Sequence, residues 1–102
     1  MSRPAFLPFY SVVSIWETVI KAALRRPDFR VDAAAFRRRL LDNGYRELDV
    51  VGSHVLAVRN LPPLHGDPFD RLLLAQAQSE GLPFWTVDRR VLSYGPPAVD
   101  MR

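Results

Sequence analysis

The sequence predicts an α/β layer protein with a mostly parallel sheet. Short aromatic and β-branched runs alternate with longer capped segments of helical periodicity, in the order strand, helix, helix, strand, helix, helix, strand, turn, strand. At 102 residues with 48% hydrophobic content, the chain supplies one core and reads as one domain spanning 1–102.

Leu7 to Val13 mixes aromatic and β-branched residues and reads as a first strand. Ser14-Ile15-Trp16-Glu17 has the form of a capping box, so a helix is expected from Ser14 to about Arg26, where Pro27 disfavours its continuation. Asp32 is the expected cap of a second helix over Ala33 to Asp42. Phe36, Leu40 and Leu41 lie on its apolar side, its arginines on the other, and Asn43-Gly44 ends it. Tyr45 to Val51 is the next strand, and Ser53 is read as the cap of a short helix running to Leu61. Pro62-Pro63 then enforces a loop. Asp67 caps a helix with Pro68 at its first position, which continues to Glu80 and closes at Gly81. Pro83 to Val87 is a strand, Arg89 to Leu92 a turn, and Ala98 to Met101 a last short strand.

Several function classes are excluded or disfavoured by composition. With no cysteine, neither a disulfide framework nor a thiolate metal site is available, and an intracellular, cytoplasmic setting is expected. No apolar run approaches bilayer length, so no membrane partner is expected. The net charge is +3, and every basic residue except Lys21 is an arginine, whose planar fork suits phosphate oxygens. The clusters Arg25-Arg26, Arg37-Arg38-Arg39 and Arg89-Arg90 also read as ordinary solvated faces. A nucleophile elbow and a phosphate-binding glycine loop are both absent, and His54 and His65 are spaced unlike a zinc site.

Three acids remain as candidates for chemistry. Glu17, Asp70 and Asp88 all fall at element ends expected to open on one side of the sheet, where ligands of open α/β sheets collect. Each has a plain alternative: Glu17 as the returning half of a capping box, Asp70 as an acid favouring the helix dipole, Asp88 as a turn former. Clustered carboxylates repel unless a cation compensates them, and hard oxygen ligands suit Mg²⁺ or Mn²⁺. His65, in the loop before the acidic run, is either a loop residue or a substrate contact.

Three blocks carry a family resemblance: Val13-Ser14-Ile15-Trp16-Glu17, the run from Leu61 through Asp67-Pro68-Phe69-Asp70-Arg71 to Ala77, and Thr86-Val87-Asp88. In order and spacing the chain resembles PIN domains, specifically the VapC-like ribonuclease toxins of toxin–antitoxin systems. The resemblance implies a three-layer PIN-like fold and a metal-dependent ribonuclease in which metal-activated water attacks RNA phosphodiesters. It implies that Glu17, Asp70 and Asp88 are the catalytic, Mg²⁺- or Mn²⁺-binding acids, that Asp67 is the helix cap, and that Arg71 and His65 contact substrate. It further implies a cognate antitoxin and a homodimer as partners.

The same resemblance implies a strand ending in aspartate ahead of the first block, and Met1 to Tyr10 holds no acid. The chain therefore reads as N-terminally truncated, with the central strand missing. The strands at Leu7–Val13 and Pro83–Val87 are then expected to pair directly, to borrow a strand from another chain, or to leave the fold only marginally stable. The alternative function is a non-catalytic PIN remnant that binds an antitoxin or a toxin partner.

Overall fold

In the computed structural model, described over residues 8–24, 32–63, 66–86 and 89–100, the chain is α/β and divides into two compact units, Met1–Asp49 and Val50–Arg102. All strand pairing is parallel, as expected, but it is split into two two-stranded ladders, one in each unit. The single sheet expected from sequence is thus not what the described residues form. Each strand candidate finds its partner at the far end of its own helical crossover, as parallel pairing requires.

In the first unit, β1 (Phe9–Ser11) leads straight into α1 (Val12–Ala23), α2 (Ala33–Asp42) follows, and β2 (Arg46–Leu48) pairs back on β1. The register places Phe9 opposite Arg46, Tyr10 opposite Glu47 and Ser11 opposite Leu48. Ser11 ends the strand in extended conformation, and its Oγ accepts from the Val13 N–H at 3.1 Å, which makes it the helix cap. The predicted capping box at Ser14 is therefore corrected: α1 begins earlier, and Glu17 lies a turn and a half inside it. Ser14 instead offers its carbonyl to the Thr18 hydroxyl at 2.9 Å.

The second helix occupies the expected residues. Asp32 Oδ1 accepts from Ala34 N–H at 3.0 Å, and the Asn43 amide returns to the Arg39 carbonyl before Gly44 takes a positive φ of 86°. No α2 residue is fully buried, and Leu41, expected on the covered side, is exposed. The second strand is shorter than the run Tyr45 to Val51 that suggested it.

In the second unit, α3 (Gly52–Ala57) runs into a 3-10 turn at Val58–Asn60, followed by α4 (Pro68–Glu80), β3 (Phe84–Thr86), α5 (Arg89–Leu92) and β4 (Ala98–Asp100). The third helix is capped at Val51, not at Ser53. Its third residue, His54, turns its imidazole back so that Nδ1 accepts from the Val51 N–H at 3.2 Å, the part a glutamate plays in a capping box. The Arg89 to Leu92 turn is a single helical turn that buries Val91. Its crossover sets β4 parallel to β3, with Phe84 opposite Ala98 and Thr86 opposite Asp100.

The centre of this unit is α4. Leu74, Ala75, Gln76 and Ala77 are all buried, with α3, the 3-10 turn and β3 packed against the helix. Gly81 ends it at φ 68°, and the N–H groups of Gly81 and Leu82 return to the Gln78 and Ala77 carbonyls. This Schellman close satisfies carbonyls that would otherwise be orphaned.

Candidate active site

The start of α4 separates the roles of its two aspartates. Asp67 Oδ1 accepts from the N–H groups of Phe69 at 2.8 Å and Asp70 at 3.3 Å, so its carboxylate closes the helix end. Pro68 occupies the first turn, where its missing N–H costs nothing. Asp70 stands half-buried in the first turn of α4, its backbone N–H held by the cap.

The Arg71 guanidinium is engaged within its own unit. Nη1 donates to the Pro62 carbonyl and to the Tyr94 hydroxyl, both at 3.0 Å. Nη2 donates to the carbonyls of Val58 at 3.3 Å and Leu61 at 3.4 Å. One guanidinium thus ties the 3-10 turn and the proline loop to the base of α4 and to the turn after α5. Arginine suits this position because its planar fork addresses several acceptors at once.

A second polar contact spans the other end of the helix. His54 is 3% exposed and its Nε2 lies 2.8 Å from Glu80 Oε2. Because Nδ1 accepts a backbone proton, Nε2 carries the ring hydrogen and donates to the carboxylate. This joins the start of α3 to the end of α4.

Glu17 lies in the first unit, half-buried on α1, with the Lys21 ammonium 3.2 Å from Oε2 one turn on. Its expected return to a helix start is replaced by this i,i+4 pair. Asp88 and His65 lie outside the described residues; the chain is described to Thr86 and resumes at Arg89. Among the described residues, no three histidine, aspartate or glutamate side chains form a group able to hold a metal ion. The chemistry of the three candidate acids, all hard carboxylate oxygens without sulfur or imidazole, suits Mg²⁺ or Mn²⁺.

A family model described as the PIN domain matches residues 6–95. The chain belongs to the PIN domain family. A search among curated proteins returned no match. The family generally has nuclease activity and typically uses divalent metals. The matched span begins ahead of β1 and ends just after Tyr94, so it contains Glu17, Asp70, Arg71 and Asp88. No helix among the described residues is long and apolar enough to cross a membrane.

Among the described residues a further polar cluster, not expected from the sequence, lies in the first unit. Tyr10 donates its hydroxyl to Glu47 Oε1 at 2.6 Å, while Arg37 grips both carboxylate oxygens at 2.7 and 3.2 Å. Hydrogen bonds from Arg37 and then from Tyr10 hold the Glu47 carboxyl below the ordinary range. Burial, followed by the Glu47 carboxylate, raises the Tyr10 phenol. The cluster binds β1, β2 and α2 together, and its only sequence signal is an acid opposite a tyrosine in the ladder.

Proposed function

We propose that this PIN domain is a metal-dependent ribonuclease of the VapC toxin type, with Glu17, Asp70 and Asp88 holding Mg²⁺ or Mn²⁺. The observation that carries the reading is the PIN match itself, which spans all three acids, with Asp70 in the first turn of α4 behind the cap that Asp67 supplies. A bound divalent ion would supply an activated water and neutralise charge on the phosphodiester in the transition state. The chain's own contribution is to hold the Asp70 carboxylate on a rigid, capped helix and to present Glu17 from α1. Lys21 keeps the Glu17 carboxylate charge-compensated, and it is the group that would yield when a cation binds.

Manganese binding followed by calorimetry tests the ligand set without needing turnover. The wild-type chain is expected to bind, and Glu17→Gln, Asp70→Asn and Asp88→Asn each to weaken binding by more than about 100-fold, since even outer-shell partners cost 10–100-fold. Unchanged affinity in Asp70→Asn overturns the assignment.

A second reading has its own support. Trp16, Val19, Ile20 and Leu24 form an exposed apolar stripe along α1, with Trp16 52% and Leu24 66% exposed. Contiguous apolar surface of this kind favours a protein partner. We therefore also propose a partner-binding role, with a cognate antitoxin segment or a second copy of the chain as the occupant and RNA cleavage not required. Light scattering on the wild type and on Ile20→Asp separates the two occupants: a dimer lost in the variant supports the second copy, and a monomer in both removes it.

A further inference from the structure

The second unit contains a cleft of about 350 Å³ along the same side of α4 that carries Asp70. Leu74, fully buried, forms its floor, and Leu61, Pro62, Tyr94 and Pro97 form its walls. Asn60 and Gln78, both exposed, also line it. Leu74 and Gln78 follow Asp70 at four-residue spacing, so they share its side of the helix, with Gln78 about 12 Å further along the axis.

Three features define what such a cleft accepts. Its volume lies at the lower end of the ~300–1,000 Å³ range of small-molecule sites. Among the described residues no charged side chain lines it, so these offer a phosphate or carboxylate no counter-charge. Its lining includes a phenol ring, three proline rings and leucine side chains, together with two primary amides, each with both donors and an acceptor. Ring and leucine side chains beside two primary amides match a neutral heteroaromatic ring with donors and acceptors along one edge. Asparagine and glutamine read base edges in this way, and sequence-specific proteins take unpaired RNA bases on aromatic surfaces.

Arg71 explains how the cleft keeps its form. Of its four acceptors, the Leu61 carbonyl, the Pro62 carbonyl and the Tyr94 hydroxyl belong to wall residues. We propose that this cleft receives one unpaired nucleobase of the RNA, read by Asn60 and Gln78, with Arg71 as the positioning residue that sets its walls. The inference rests on the ribonuclease reading for the identity of the strand, but the cleft binds a base whether or not the chain cleaves.

The test uses free nucleosides, which carry neither phosphate nor need of a metal. Adenosine, guanosine, cytidine and uridine are titrated into the full chain while the side-chain amide signals of Asn60 and Gln78 are followed by NMR. At least one nucleoside is expected to shift both amides saturably, and Gln78→Ala and Asn60→Ala each to weaken that binding about tenfold, as loss of one amide contact to a base edge implies. Both side chains are exposed, so the variants are expected to melt with the wild type. No shift with any nucleoside, or equal binding in both variants, overturns the proposal. Binding of a nucleoside by a chain that cleaves no RNA keeps the cleft and dismisses the ribonuclease. Cleavage without any nucleoside effect keeps the ribonuclease and dismisses the cleft.

Discussion

Replacing Arg71 by alanine separates a structural clamp from a substrate contact. The guanidinium makes four hydrogen bonds, and a bond to a charged group is worth about 1.5–3 kcal/mol when it is short and shielded. The contact to Tyr94 meets that description at 3.0 Å in a part-buried setting. The equally short contact to Pro62 is exposed, so water replaces it, and those to Val58 and Leu61 are long. Full credit for one bond and small credit for three gives a loss of about 3 kcal/mol. At roughly 4–8 °C per kcal/mol for a chain of this size, the melting temperature is expected to fall by about 15 °C. Thermal and guanidinium unfolding followed by circular dichroism measure it. Arg71→Lys, which keeps the charge but loses the fork, is expected to recover less than half of the loss. A drop below about 4 °C in Arg71→Ala refutes the clamp. Unchanged stability with weakened RNA binding would instead give Arg71 back to substrate.

Other substitutions probe the remaining contacts. Asp67→Ala removes the cap of α4 and is expected to cost about 1 kcal/mol in denaturant midpoint, without changing manganese affinity. His54→Ala strips the acceptor from the part-buried Val51 N–H and the partner from Glu80; a loss of about 1–2 kcal/mol is expected, and a loss under about 0.5 kcal/mol would show that the pair holds nothing. Glu47 gives a pH signature. Its carboxyl is depressed in the folded chain, so its stabilisation is complete above the ordinary glutamate value near 4.3 and disappears as the pH falls through the lower folded value. The stability gap between wild type and Glu47→Gln should therefore be constant from pH 7 to about 5 and close below pH 4; a gap that widens on acidification contradicts the assignment.

Local chemistry was the legible part of this chain. Asp32 with Asn43-Gly44 bounded α2, and Asp67-Pro68 with Gly81 bounded α4, because caps act on residues two or three positions away. The start of α1 was misread because Ser11 and Ser14 are both chemically fit to cap, and the choice depends on where β1 stops pairing with β2. The cap of α3 was missed because a histidine stands where the box expects an acid or amide. Neither the division of the strands into two ladders nor the work of Arg71 is local. Arg71 takes acceptors up to 23 positions away, and only the folded chain brings them within reach. Of the three candidate acids, Asp70 lies in the first turn of α4, Glu17 changed its partner from a helix end to Lys21, and Asp88 lies outside the described residues.

Cleavage of single-stranded RNA by the purified chain tests the central claim most directly. Product is expected with Mg²⁺ or Mn²⁺, none with a chelator in excess, and a loss of more than about 100-fold in Asp70→Asn that folds with wild-type stability. Cleavage that survives the chelator, or that Asp70→Asn retains in full, would contradict a metal-dependent PIN ribonuclease built on these acids.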